Sequence, residues 1–387
     1  MDKIPQPDQA KSDDFSEKSD KSSYQHKKRR PYRSRKHGQN TKSNASGEPL
    51  YAAIDLGTNN CRLLIVAPEG KNFKVVDSFS RVVRLGEGLE TTGRLSADAM
   101  DRALSALRIC AGKVRKYNIK RMRCVATEAC RDADNGAEFI DRVTKETRLK
   151  FQIIGARDEA ELASVSCGEL FDRKRPHVIV LDIGGGSTEI SYLRLESGRF
   201  ELKETKSFPL GVVRLTERFD GRHLTVEGYE KMRDECIEAI RDFVESQSWA
   251  GDLTKLQVVG TSGTVTTLVA VQLGLKFYDR SRVDGKSVSL NAVRDVIKRL
   301  LGMSQKQLAA QPCIGSDRAD LVLTGCAILE AFLEFYPVPS VKVADRGLRE
   351  GILLRLIRKD QRGIRKGRRK MPPRKREKAK AGKHVQG

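Results

Sequence analysis

Val178-Ile179-Val180-Leu181-Asp182-Ile183-Gly184-Gly185-Gly186-Ser187-Thr188-Glu189 carries an apolar run into a glycine turn, and a second apolar run follows over 190–195. A turn at Glu196-Ser197-Gly198 then leads to a third run over 200–203. Apolar runs of this length bounded by Gly and Ser predict strand, tight turn, strand, turn, strand. The same syntax stands upstream. A run from Tyr51 ends in Asp55-Leu56-Gly57-Thr58-Asn59-Asn60, continues over 61–66, turns over 68–72 and resumes over 73–76. Val82-Val83-Arg84-Leu85 is echoed by Val212-Val213-Arg214-Leu215. Each copy is followed by helical periodicity, over 95–117 and 226–244, and then by a further strand, over 122–127 and 256–260. Two tandem units of one plan predict an α/β protein of two lobes with a cleft between them. Asp55 and Asp182 then face each other across that cleft, because ligands of such sheets gather beyond the strand ends.

The flanks differ from this core. Of the formal charge of +22, residues 1–49 contribute 12 basic against 7 acidic and residues 358–387 contribute 14 against 2, so the core carries only +5. Such flanks cannot bury enough apolar surface to fold, and they predict disordered basic tails that attract polyanions such as RNA or polyphosphate. No apolar run approaches the ~18 residues of a membrane span and no signal-peptide core opens the chain, so the expected location is cytoplasmic. The eight cysteines include no Cys-x-x-Cys pair and sit in apolar stretches, as reduced core thiols do. The five histidines are far apart, which speaks against a His-ligated metal or a Ser-His triad.

The glycines at 184–186 let the backbone approach a phosphate and direct N–H groups at its oxygens, with the Ser187 and Thr188 hydroxyls as further donors. Gly57, Thr58 and Asn59 repeat the arrangement in the first unit. Gly260-Thr261-Ser262-Gly263-Thr264 follows a strand and opens a helix, which makes Thr261, Ser262 and Gly263 an anion site at a helix N-terminus. It is not a serine-hydrolase elbow, since position 264 is Thr, and neither glycine turn is a Walker A loop.

Duplicated hairpins with an acid before each glycine turn resemble the actin-like ATPase domain superfamily, with its ribonuclease H-like lobes. Five motifs narrow the resemblance: Ala53-Ile54-Asp55-Leu56-Gly57-Thr58-Asn59, Ile154-Gly155-Ala156-Arg157-Asp158-Glu159-Ala160, the 182–189 segment, Gly260-Thr261-Ser262-Gly263-Thr264 and Arg346-Gly347-Leu348-Arg349-Glu350-Gly351. In this order, over 50–357, they resemble the exopolyphosphatase/guanosine pentaphosphate phosphohydrolase (Ppx/GppA) family. The domains expected are a tail over 1–49, a first lobe over 50–160, a second over 161–341, a helix over 342–357 returning to the first lobe, and a tail over 358–387.

The resemblance implies hydrolysis of a terminal phosphoanhydride. That chemistry needs an aligned water, a carboxylate to deprotonate it and cationic neutralisation of the phosphates, usually with Mg²⁺. By the resemblance Glu159 is the catalytic base, Asp182 and Glu189 hold the metal or the water, and Arg131 binds phosphate. Asp55 is either a further ligand or a structural acid that tethers its turn. Inorganic polyphosphate is the expected substrate and guanosine pentaphosphate the alternative; a homodimer is compatible with the sequence. Long exopolyphosphatases of the family continue into a helical domain that has no counterpart here, which leaves the basic tails as electrostatic tethers. A kinase or chaperone-like ATPase of the superfamily is the next reading, against which the match between residues 151 and 189 resembles the hydrolase branch. A module that binds RNA through its tails is the third, and it leaves the carboxylates and paired glycine turns without a role.

Overall fold

A computed structural model describes residues 48–246 and 252–369 of the chain. The predicted duplication is present. The first sheet is built from β1 (Leu50–Leu56), β2 (Asn60–Glu69), β3 (Asn72–Val82), β4 (Ile119–Ala126) and β5 (Phe151–Ile153), in the order β3-β2-β1-β4-β5. The second contains β6 (His177–Ile183), β7 (Thr188–Glu196), β8 (Arg199–Phe208), β9 (Leu256–Thr261), β10 (Ser287–Ser289) and β11 (Ser340–Ala344), ordered β10-β11-β9-β6-β7-β8. Setting β10 aside, the two orders superimpose: β1, β2 and β3 form an antiparallel meander and β4 joins β1 in parallel, as β6, β7, β8 and β9 do. This is the duplicated ribonuclease H-like, or actin-like, α/β plan.

Both central strands are apolar on both faces, as strands covered on two sides are. In β1, Ala52, Ile54 and Leu56 face α1 (Ala97–Val114) and α2 (Gly136–Thr147). Tyr51 and Ala53 face the other way, onto Leu162 of α3 (Ala156–Cys167) and Ile352, Leu353 and Ile357 of the last helix. In β6, Ile179, Leu181 and Ile183 join the larger core, which holds α4 (Val226–Glu245), α5 (Ser262–Gln272), α6 (Leu290–Leu301) and α7 (Val322–Phe335). Val178 and Val180 turn toward Cys167 of α3. The last helix, α8 (Leu348–Arg369), crosses α3 so closely that a Cβ at Gly351 would lie 2.0 Å from the Leu162 carbonyl oxygen. These two helices fill the space between the sheets and place both glycine turns at one end of it.

The chain departs from expectation at α8, which runs past Ile357 to Arg369. Charge counting assigns 358 onward to a tail, but Asp360 is buried. It accepts hydrogen bonds from Tyr51 Oη at 2.9 Å and Arg121 Nε at 2.7 Å, and Lys120 lies 2.9 Å away. The outer tails, 1–47 and 370–387, lie outside the described residues. All eight cysteines are buried and unpaired, as expected of core thiols. No helix among the described residues is long and apolar enough to cross a membrane.

Candidate active site

The two turns are held by parallel devices. Gly57 N donates to Asn60 O at 2.9 Å, and Gly184 N donates to Ser187 O at 2.8 Å. The echoed Val-Val-Arg-Leu segments strap them: Val83 N and Arg84 N donate to Asn59 O, and Val212 N and Val213 N donate to the carbonyls of Gly184 and Gly185. Across the cleft the turns nearly touch. A Cβ at Gly185 would lie 3.0 Å from Asn59 N, and one at Gly186 would lie 1.6 Å from Glu128 Oε2. Glycine at both positions leaves room for this approach of the lobes, and at Gly186 a side chain would have to displace the Glu128 carboxylate. Between the turns, the N-terminus of α5 and the 345–350 segment lies a cleft of about 690 Å³.

Carboxylates line its floor. Residues directly opposite on adjacent antiparallel strands share a face, and Asp182 lies opposite Glu189. Glu189 is 3% exposed, and its Oε1 accepts hydrogen bonds from Ser187 Oγ at 2.6 Å and Ser207 Oγ at 2.7 Å. Burial and the Glu189 charge push the Asp182 carboxyl up to about 7, against the pull of Arg62 and a hydrogen bond from Ser262. Burial raises Glu189 as well, while its two serine donors act against the rise. Glu159 lies in the first turn of α3; burial, and then the charges of Glu189, Asp182 and Asp55, hold it well above the carboxylate range. Its Oε2 accepts no hydrogen bond, and its nearest cation is Arg131 Nη1 at 3.8 Å. A half-buried carboxyl with raised proton affinity and a shielded, unpartnered oxygen suits a general base.

The internal repeat places Arg62 where the second unit has Glu189, so Asp55 faces a guanidinium rather than a carboxylate. Burial still raises Asp55, opposed by Arg62 and Arg349. Asp55, Asp182 and Glu189, expected to share a cation, do not form a cluster of three metal-ligating groups among the described residues. The donor set nonetheless fits a hard cation of the Mg²⁺ type. Such an ion takes one or two carboxylates and completes its shell with waters and substrate phosphates, and half-buried Asp182 opposite buried Glu189 is a pair left mutually repelling.

Other expected residues are disposed differently. Arg131 stands behind Glu159 instead of lining the cleft: its Nη1 donates to Ile154 O at 3.1 Å and its Nε lies 3.5 Å from Asp132. The Thr188 hydroxyl points away from the cleft and donates to Leu210 O at 2.5 Å, because it alternates with Glu189 along the pleat. Thr261 lines the cleft, but its hydroxyl is taken up in donating to Arg346 O. Ser262 and Gly263 do line the cleft; Ser262 adopts a left-handed φ of 76° at the start of α5, a conformation costing a side-chain-bearing residue roughly 1–2 kcal/mol. Thr58, Asn59 and Gly57 line it too, and Asn59 Oδ1 is buried without a partner.

Three residues absent from the sequence expectations belong to the cleft. Arg62 and Arg318 line it, and neither forms an ion pair among the described residues. Glu128 stands between the turns, pushed up to about 7 by burial; Arg214 donates to its Oε1 and Thr58 to its Oε2, both at 3.3 Å. The echoed arginines cross the cleft in opposite directions, Arg214 from the second lobe to Glu128 and Arg84 from the first lobe to Asp320 at 2.9 Å. Alignment of the two repeats was the signal for Arg62. Glu128 and Arg318 had none, since their partners lie far away in the chain.

The sequence matches the Ppx/GppA phosphatase family over residues 64–360. Exopolyphosphatase 2 of Mycobacterium tuberculosis is 32% identical over 322 residues, which cover 79% of this chain and 98% of that protein. A bifunctional 3-dehydroquinate synthase/phosphatase of Fusobacterium nucleatum is 30% identical over 318 residues, 79% of this chain; the chain spans 46% of that longer protein. Among solved structures, the Aquifex aeolicus Ppx/GppA family member has a TM-score of 0.67 at 27% identity, covering 81% of this chain and 98% of its own. An exopolyphosphatase from Cytophaga hutchinsonii has a TM-score of 0.70 at 25% identity, covering 79% and 96%.

Proposed function

The chain belongs to the Ppx/GppA phosphatase family and is a phosphoanhydride hydrolase, and we propose that it is an exopolyphosphatase that releases orthophosphate from the end of inorganic polyphosphate. The observation that carries the reading is Glu159, a half-buried carboxylate with a shielded, unpartnered oxygen, among three further acids at the mouth of two glycine turns. In this reading the backbone N–H groups of the turns and of the α5 N-terminus, with Arg62 and Arg318, hold the terminal phosphates. Arg131 orients Glu159. Glu159 accepts the proton of the attacking water, the water oxygen bonds to the terminal phosphorus, the bridging P–O bond breaks, and the shortened chain leaves with the electron pair. Asp182 and Glu189 would hold Mg²⁺, whose contribution when bound is to neutralise phosphate charge. A cytoplasmic enzyme with the basic tails as polyanion tethers completes the proposal.

Guanosine pentaphosphate is the second reading. It is favoured by Tyr278, which lines the cleft mouth, and by its neighbour Phe277, an apolar ring 69% exposed that offers a face to a base. Phosphate release with Mg²⁺ from long-chain polyphosphate and from guanosine pentaphosphate, with Glu159→Ala as control, separates them. Faster release from polyphosphate, lost in the variant, supports the first; release from the nucleotide alone replaces it with the second.

A further inference from the structure

A second cavity, of about 850 Å³, shares no lining residue with the catalytic cleft. It lies at the opposite ends of the hairpins, where Lys71 turns β2 into β3 and Gly198 turns β7 into β8. β7 runs 9 residues from the glycine turn to that end, a separation of roughly 25–30 Å at the rise of a strand. Five cationic residues, Lys71, Arg173, Arg199, Arg355 and Arg358, line it against Glu161 and Glu169. Both acids are already neutralised, Glu161 by Arg355 at 2.9 Å and Glu169 by Arg346 at 3.0 Å. Lys71, Arg173, Arg199 and Arg358 form no ion pair among the described residues. Ser164 also lines the cavity; it is 5% exposed and its Oγ has no hydrogen-bond partner, although a helical serine ordinarily donates to the carbonyl one turn back.

The polar groups left open there are donors: four cations and a hydroxyl. A ligand that satisfies them must be rich in acceptors and negatively charged. Phosphoryl oxygens meet both demands, with guanidinium forks reading them in pairs and lysine acting as a point charge. The floor is apolar, formed by Phe171 and Phe200 in an edge contact with ring centroids 5.1 Å apart, and can cover a carbon body. We infer that this cavity is a second anion site that binds a small molecule carrying two or more phosphoryl groups. Lys71 belongs to the first sheet and Arg358 to the helix packed on it, whereas Arg173 and Arg199 flank the second sheet. The bound anion therefore ties the two lobes together behind the cleft.

The inference is independent of the proposed substrate and is tested by calorimetric titration of the full chain with inorganic tripolyphosphate. Glu159→Gln serves as the background, so that the probe is not consumed. The background protein is expected to show two binding events. Adding Lys71→Glu and Arg199→Glu, both exposed positions, weakens one of them on the order of a hundredfold and leaves the other. Lys71→Ala with Arg358→Ala gives the same selective loss without introducing negative charge. ATP supplies the second arm: tighter binding than tripolyphosphate at the sensitive event assigns the site to an organic phosphate, and weaker binding assigns it to a free oligophosphate. Titrations of the background and both charge variants that superimpose overturn the site. A missing cleft event beside an intact, charge-sensitive one counts against the polyphosphate reading alone.

Discussion

Replacing Asp182 by Asn removes a charge that the folded state disfavours, and the size of the effect follows from the site. The Asp182 carboxyl is moved from its ordinary 3.8 up to about 7 by burial and by Glu189. Because the folded state binds this proton more tightly than the unfolded chain, the stabilisation it brings is complete below pH ~4 and is lost as pH rises through ~7. The full change is on the order of 4 kcal/mol, of which roughly a third has been lost at pH 5. The stability gap between Asp182→Asn and wild type should thus widen in favour of the variant by on the order of 2–3 kcal/mol between pH 5 and pH 8.5. The hydrogen bond from Ser262 to the charged carboxylate is already contained in the shifted value, and any bond the variant amide makes in its place is the same at both pH values, so it drops out of the difference. The assay is urea unfolding followed by circular dichroism, in EDTA, at the two pH values. A gap that is constant or narrows would refute the account of a desolvated, mutually repelling acid pair.

Glu159→Gln should lower kcat by about 10²–10⁴ while leaving KM within about threefold, as removal of a base does; a change confined to KM in phosphate-release assays would assign Glu159 to binding. Gly186→Ala places a Cβ 1.6 Å from Glu128 Oε2, so turnover should fall with the fold retained, and Glu128→Ala in the same chain should restore part of it; absence of any recovery points away from steric blockage. Ser187→Ala with Ser207→Ala strips Oε1 of Glu189 of two donors that favour its charged form, and the acidic limb of the pH–rate profile should move to higher pH. An unchanged limb means that Glu189 does not control it. EDTA should abolish turnover and excess Mg²⁺ restore it, with the cation raising the urea midpoint more at pH 8.5 than at pH 5; equal increments would place the ion away from the acids.

The parts of this site legible in the sequence are those whose geometry is local. An apolar run, an acid and a glycine turn specify the hairpin, and two copies specify the pairing of lobes and the opposition of Asp55 and Asp182. The pleat also carries information that is easy to overlook. Glu189 is seven residues after Asp182 across the turn and shares its face, so its neighbour Thr188 must face the other way. Placement of Arg131 depends on Ile154 and Asp132, and placement of Glu128 on Arg214, 86 residues away. No periodicity encodes such contacts. The end of α8 was hidden for a related reason: the count of basic residues masks one acid, Asp360, whose partners lie on β1 and β4.

The crossing arginines have a consequence for how the molecule opens. Each lobe carries one, mounted on the strap of its own glycine turn, and each is received by a carboxylate of the other lobe. A hinge with one such clasp could swing about it and admit a guest at a partly open angle. Two clasps of opposite sense lie on a single seam, so parting the lobes pulls on both together, and each strap transmits that pull to the turn it holds. Any parting of the lobes then becomes a step with a threshold, governed by two guanidinium pairs and sensitive to ionic strength.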